Sequence, residues 1–116
     1  MSVVPPSLMS PLRALVDDLV AGDYAGLVTS GRAGRLTADE LARAVRDYGR
    51  RLVALPEDAF VPDYVMAYRD GANPTLWSID LTLWTAEEGR SDLTLQVLAR
   101  ETPAGAVITI EDLHVL

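Results

Sequence analysis

The sequence predicts an α+β domain in which two or three N-terminal helices pack on a four-stranded antiparallel meander, occupying residues 10–116 behind a flexible leader of residues 1–9. Three observations carry this. Apolar residues recur every three or four positions as far as about residue 55, and from Pro62 onward every second position; these are the periods of a helix face and of a half-buried strand. Short links rich in Gly, Pro, Asp and Asn separate the alternating segments, and links of that length join strands antiparallel. A chain of 116 residues, 49% hydrophobic and 23% charged, has the size and mixture of one globular domain.

The elements follow in order. Ser10 and Pro11 make a helix start, because Ser caps free N–H groups and Pro is preset for the first helical position. Leu12, Leu15, Val16, Leu19 and Val20 then form one apolar stripe, and Gly22 closes a helix over residues 11–21. Asp23 caps a short turn carrying Tyr24, Leu27 and Val28, and residues 29–35 read as a mobile loop. Its Gly31-Arg32-Ala33-Gly34 lacks the preceding strand and the Gly-Lys-Ser/Thr ending of a phosphate loop, so it reads as a plain connection.

Thr37 and Glu40 have the spacing of a capping box, and Leu36 with Leu41 that of a hydrophobic staple. The helix they start either continues to about residue 54 or stops at Gly49 with residues 52–55 extended, and Pro56 ends both versions. Tyr64, Met66 and Tyr68 alternate in the first strand, up to Asp70-Gly71-Ala72-Asn73-Pro74. Strands over 76–84, 93–99 and 106–115 complete the meander.

Alternation sorts the faces. Trp77, Ile79, Leu81, Leu83, Leu93, Leu95, Val97, Ile108 and Ile110 point toward the helices, and Ser78, Asp80, Thr82, Trp84, Thr94, Gln96, Leu98, Thr109 and Glu111 point away. Glu111 and Asp112 side by side break the rhythm, which a β-bulge reconciles.

The chain has no cysteine and no lysine, and its one histidine is His114. Thiol and amine nucleophiles are therefore excluded, no cofactor is indicated, and the lack of clustered His or Cys argues against zinc. The net charge of −7 argues against a nucleic acid, whose phosphates bind Lys and Arg. Residues 70–116 hold eight of the carboxylates and two of the arginines, so a protein partner is expected to be basic. No stretch resembles a secretory signal or a membrane-spanning segment, which makes a cytoplasmic location the expectation.

Two site readings arise. On the polar face, Trp84 beside Asp80, Thr82 and Gln96, with the acidic hairpin residues Glu87, Glu88 and Asp92, has the make-up of an aromatic anchor with a charged rim, suited to a partner or to a homodimer. Alternatively Tyr64, Tyr68, Trp77 and His114 line a pocket between helices and sheet, where a carboxylate such as Asp80 can act as a base; Asp80 and Trp77, however, alternate onto opposite faces. His114 can also act as an acid or base with Asp112 or Asp80 as an orienting carboxylate, or it is simply a solvent-facing strand residue.

With Leu76-Trp77-Ser78-Ile79-Asp80-Leu81-Thr82-Leu83-Trp84 and the terminal Ile110-Glu111-Asp112-Leu113-His114-Val115-Leu116, helices followed by a curved antiparallel sheet, the chain resembles the nuclear transport factor-like or SnoaL-like cystatin-type fold. It also resembles small bacterial domains ending in Asp-Leu-His-Val-Leu. The resemblance implies an isomerase, a cyclase, a dimerisation module or a toxin-immunity protein, since such folds host all of these. Enzymatic members place Asp or His inside the cone, and no such pair is assignable here residue by residue. The leading expectation is a non-catalytic interaction domain, of immunity or accessory type; the alternative is a small-molecule-binding or isomerase-like protein.

Overall fold

Three helices lie on one face of an antiparallel sheet in the computed structural model, which describes residues 4–115. The helices are α1 (Pro6–Ala21), α2 (Tyr24–Thr29) and α3 (Ala38–Tyr48); the strands are β1 (Leu52–Val53), β2 (Val65–Arg69), β3 (Leu76–Thr85), β4 (Gly89–Thr102) and β5 (Gly105–Val115). β2, β3, β4 and β5 form the expected meander. The sheet has five strands and not four, because β1 pairs Leu52 with Thr85 and Val53 with Trp84 on the same edge of β3 that β2 occupies further along.

The N-terminal boundary also needs correcting. α1 starts at Pro6, so Pro11 lies inside it, and Val4 and Leu8 are buried. Of the expected leader, residues 1–3 lie outside the described residues; the rest is held because Leu8 extends the stripe of Leu12, Leu15 and Leu19 back by one turn and has apolar surface to bury. Gly22 ends α1 in the left-handed conformation, at φ 74°. α3 opens on the complete capping box, with Thr37 Oγ1 accepting from the Glu40 N–H and Glu40 accepting from the Thr37 N–H. It stops at Gly49, the shorter of the two expected versions, and frees residues 52–53 to pair as β1.

The core lies between helices and sheet. By register its rows are Val65, Leu81, Leu95 and Leu113; then Ala67, Ile79, Val97 and Ile110; then Trp77, Ala99 and Ile108, with the helical leucines laid over them. Each large side chain enclosed there contributes roughly 1.5 to 3 kcal/mol, which makes a one-residue slip of any strand prohibitive. Two bulges adjust the alternation. Asp112 pairs with Gln96 and Ile110 with Val97, leaving Glu111 as the extra residue where the sequence requires one. In β4, residues 91–93 oppose Leu83 alone, and the buried Ser91 hydroxyl donates to the Leu83 carbonyl at 2.8 Å.

The segment expected to be a mobile loop is docked. Arg32 bonds Asp18 at 2.6 Å, its carbonyl accepts the Ile110 N–H at 2.7 Å, and Ala33 is buried. Residues 32–34 thereby cover the middle of the β5 edge. The glycines serve backbone geometry, Gly34 at φ 61° lying directly on Ile110 and Thr109. A second long-range tie comes from Arg13 of α1, whose guanidinium donates to the carbonyls of Leu55, Pro56 and Glu57 and stacks 5.0 Å from the Phe60 ring centroid.

Candidate functional site

All three helices pack on the inner face, so the outer face of the sheet is the broad uncovered surface. Register places three rows on it: Tyr68, Ser78, Leu98 and Thr109; Met66, Asp80, Gln96 and Asp112; and Thr82, Thr94 and His114. Met66 is 49% exposed and Tyr68 53%, so the face combines large apolar side chains with the carboxylates of Asp80 and Asp112.

The partner-facing set expected from sequence divides here. Asp80, Thr82, Gln96 and Trp84 lie on the outer face. Thr82 and Thr94 are nonetheless buried, and the turn before β2 folds across Thr82: the Tyr64 carbonyl accepts both the Thr82 N–H at 3.1 Å and the Thr82 hydroxyl at 3.3 Å. Tyr64 meets Trp84 edge to face at 5.2 Å between centroids, and Arg90 lies over the Tyr64 ring, 5.9 Å from its centroid. Trp84 is therefore a half-buried packing residue in place of the exposed anchor that alternation suggested. Its Nε1–H is enclosed and meets no acceptor among the described residues.

The acidic hairpin carries a structural load. Glu88 accepts from the Tyr48 hydroxyl at 2.9 Å and from the Thr85 hydroxyl at 3.0 Å, while the Tyr48 oxygen accepts the Asp92 N–H at 3.2 Å. Glu87 accepts the Arg51 N–H at 3.0 Å. Tyr48 thus clamps the C-terminal end of α3 to Glu88 of the β3–β4 turn and to Asp92 of β4. Reversing the charge of Glu88 breaks this clamp and reversing that of Glu87 breaks its bond to the Arg51 N–H, so neither probes association alone, as a solvated hairpin would have allowed.

The pocket set is not brought together. Tyr64, Tyr68 and His114 belong to the outer face, whereas Trp77 faces the helices, its indole donating to Glu101 at 3.0 Å with Arg69 stacked at 4.9 Å. The space between helices and sheet is filled by the aliphatic core. The depressions lie at the surface. One of about 420 Å³ includes His114, Asp47, Tyr48 and Leu113, and there His114 Nδ1 stands 3.1 Å from Asp112 Oδ2 with its side chain 38% exposed. Among the described residues no three His, Asp or Glu side chains gather as metal ligands, and no helix is long and apolar enough to cross a membrane.

Two carboxyls have displaced titrations. The N–H and hydroxyl of Thr37 hold Glu40 below its ordinary value of 4.5, and the Arg51 N–H does the same for Glu87. A lowered folded-state pKa contributes stability that is complete above the ordinary value and is lost as pH falls through the lowered one. The urea midpoint should therefore be level between about pH 7 and pH 5.5 and fall below about pH 4.5. Glu40→Gln keeps the cap acceptor and should flatten part of that acid slope; an unchanged slope would remove the Thr37–Glu40 linkage as its source.

Neither a curated protein nor a solved structure shows significant similarity to the chain. A family model does: it spans residues 16–116, from the middle of α1 through β5, and the chain accordingly belongs to the family described as a domain of unknown function (DUF7668).

Proposed function

We propose that the chain is a small, cytoplasmic, non-catalytic interaction domain, of accessory or immunity type, whose outer sheet face receives a basic protein partner. The observation that carries the reading is that face itself. It is uncovered by any helix, and it sets half-exposed Met66 and Tyr68 beside Asp80, Gln96 and Asp112. Interface cores favour Met and Tyr, and carboxylates around them select a cationic surface. Residues 70–116, which supply most of the face, also hold eight carboxylates against two arginines. An enzyme-like pocket between helices and sheet has less support, since that space is occupied by the core.

The test is affinity capture from the source cells with the wild-type chain, followed by calorimetry with whatever is retained. Asp80→Arg and Tyr68→Ala should each weaken binding by about tenfold or more, with added salt weakening it further, while Asp39→Ala on α3 leaves it unchanged. A partner that is acidic, or that binds both face variants as tightly as wild type, would overturn the assignment.

A further inference from the structure

The cations of this acidic chain are unevenly placed. Residues 43–51 hold Arg43, Arg46, Arg50 and Arg51 against the single carboxylate Asp47, in a chain of net charge −7. Arg50 and Arg51, in the link from α3 to β1, line a surface trough of about 490 Å³. Its walls come from the end of α1, the start of α2, α3 and β1, and Leu19, Val20, Val45, Leu52 and Val53 make them aliphatic. None of these residues belongs to the rows of the outer sheet face.

The two arginines keep their charge for something else. Among the described residues the ion pairs are Arg32 with Asp18 and His114 with Asp112, so neither guanidinium of the trough has a carboxylate in contact. Arg50 Nη1 reaches only the neighbouring Gly49 carbonyl, at 3.4 Å, which is long for a hydrogen bond. Arg51 is anchored through its backbone, its N–H donating to Glu87 at 3.0 Å and its carbonyl accepting from Ala86 at 2.9 Å. Glu87 lies in the field of both guanidiniums, and one carboxylate against two arginines leaves a positive surplus. The lining residues include no carboxylate that would repel an anion.

We propose that this trough binds a single-chain aliphatic carboxylate, its acyl chain against the aliphatic walls and its head group held by Arg50 and Arg51. The guanidinium fork matches a carboxylate in two parallel hydrogen bonds. Buried Leu19 and Leu52 form the floor, and Val20, 36% exposed, leaves apolar surface for a ligand to cover. The volume is that of a small-molecule site. An acyl chain has no polar groups to satisfy along its length, whereas a peptide brings an N–H and a C=O per residue. Apart from the arginines, Tyr24 is the only lining residue with a polar side-chain atom to meet them.

The site is independent of the outer face and of its basic partner, and the test uses the whole chain alone. Calorimetry with octanoate, decanoate and dodecanoate, each below its micellar concentration, should show one site per chain. Affinity should rise about two- to fourfold for each added methylene, the upper figure being that of full burial. Acetate, which lacks the tail, and decanol, which lacks the charge, should each bind at least about tenfold more weakly than decanoate. Amide shifts on titrating decanoate into the wild-type chain should concentrate at Val20, Val45, Leu52 and Val53. Arg50→Gln with Arg51→Gln changes two exposed side chains and should weaken decanoate at least about tenfold at an unaltered urea midpoint, whereas Arg100→Gln changes nothing. Absence of saturable binding, decanol as tight as decanoate, full affinity in the double variant, or shifts confined to the outer face would each refute the site. Capture of phosphatidylglycerol vesicles or of a glutamate-rich peptide in place of decanoate would also refute it, and would assign these cations to a membrane or a protein. The wild-type ligand series and shift map decide even where a variant fails to fold.

Discussion

Arg13→Ala should lower the free energy of unfolding by about 3 kcal/mol, measured by urea denaturation followed through tryptophan fluorescence. The guanidinium donates to the carbonyls of Leu55 and Pro56 at 3.0 Å each and of Glu57 at 3.2 Å, and it stacks on Phe60, which is 6% exposed. Hydrogen bonds to a charged group are worth about 1.5 to 3 kcal/mol each, and a partly desolvated cation over a ring adds about 1 kcal/mol. These bonds share one side chain and do not sum, so about 3 kcal/mol is the expectation. For a domain whose whole stability is about 5 to 15 kcal/mol, that is a large fraction.

Arg13→Lys separates the contributions. The ammonium keeps the charge and much of the stem but has no planar fork, so it should recover less than half of the loss. A loss below about 1 kcal/mol for Arg13→Ala would mean that water replaces the guanidinium on these carbonyls.

Gly34→Ala should cost about 2 to 4 kcal/mol and accelerate amide exchange at Ile110. At φ 61° a side chain is strained by about 1 to 2 kcal/mol, and the added Cβ would stand 2.6 Å from the Ile110 carbonyl oxygen and 2.9 Å from Thr109 Cγ2. A backbone oxygen cannot swing aside. The loop must leave the β5 edge, and the bond from the Ile110 N–H to the Arg32 carbonyl goes with it. Gly31→Ala is the matched control: φ is 77° but nothing lies within 4 Å of the new methyl, so only the conformational cost of about 1 kcal/mol applies. Equal losses at the two positions would show that contact with β5 contributes nothing.

What was readable in the residues had a local cause. The capping box at Thr37 and Glu40 spans one turn, and it is formed as its spacing demands. The alternation from residue 76 onward assigned the inner residues of β3, β4 and β5 and required the bulge at Glu111. The misreadings fell where a distant segment intervened. Trp84 alternates onto the outer face, yet Tyr64, twenty positions earlier, folds over and half-covers it. Glu87 and Glu88 read as a solvated acidic tip, and they are acceptors for Arg51 and Tyr48. Val4 and Leu8 were lost to view behind Pro5, Pro6 and Pro11, which suggested an irregular leader in place of a helix that tolerates proline in its first turns. The two-residue β1 was half seen, as the extended alternative to a longer third helix.

The candidate site divides along the same line. Which side chains face away from the helices follows from a period of two, a property of each strand by itself, and so the outer positions of Asp80, Gln96 and Thr109 were contained in the sequence. Which of those positions remain open to a partner, and that residues 32–34 close the middle of the β5 edge, was decided only by the tertiary structure. The reason is one of range. Periodicity and capping act over a few residues and leave a local trace in the chain, whereas the covering of Thr82, the docking of Gly34 and the reach of Arg13 join segments 18, 76 and 42 positions apart, and no local pattern records such meetings.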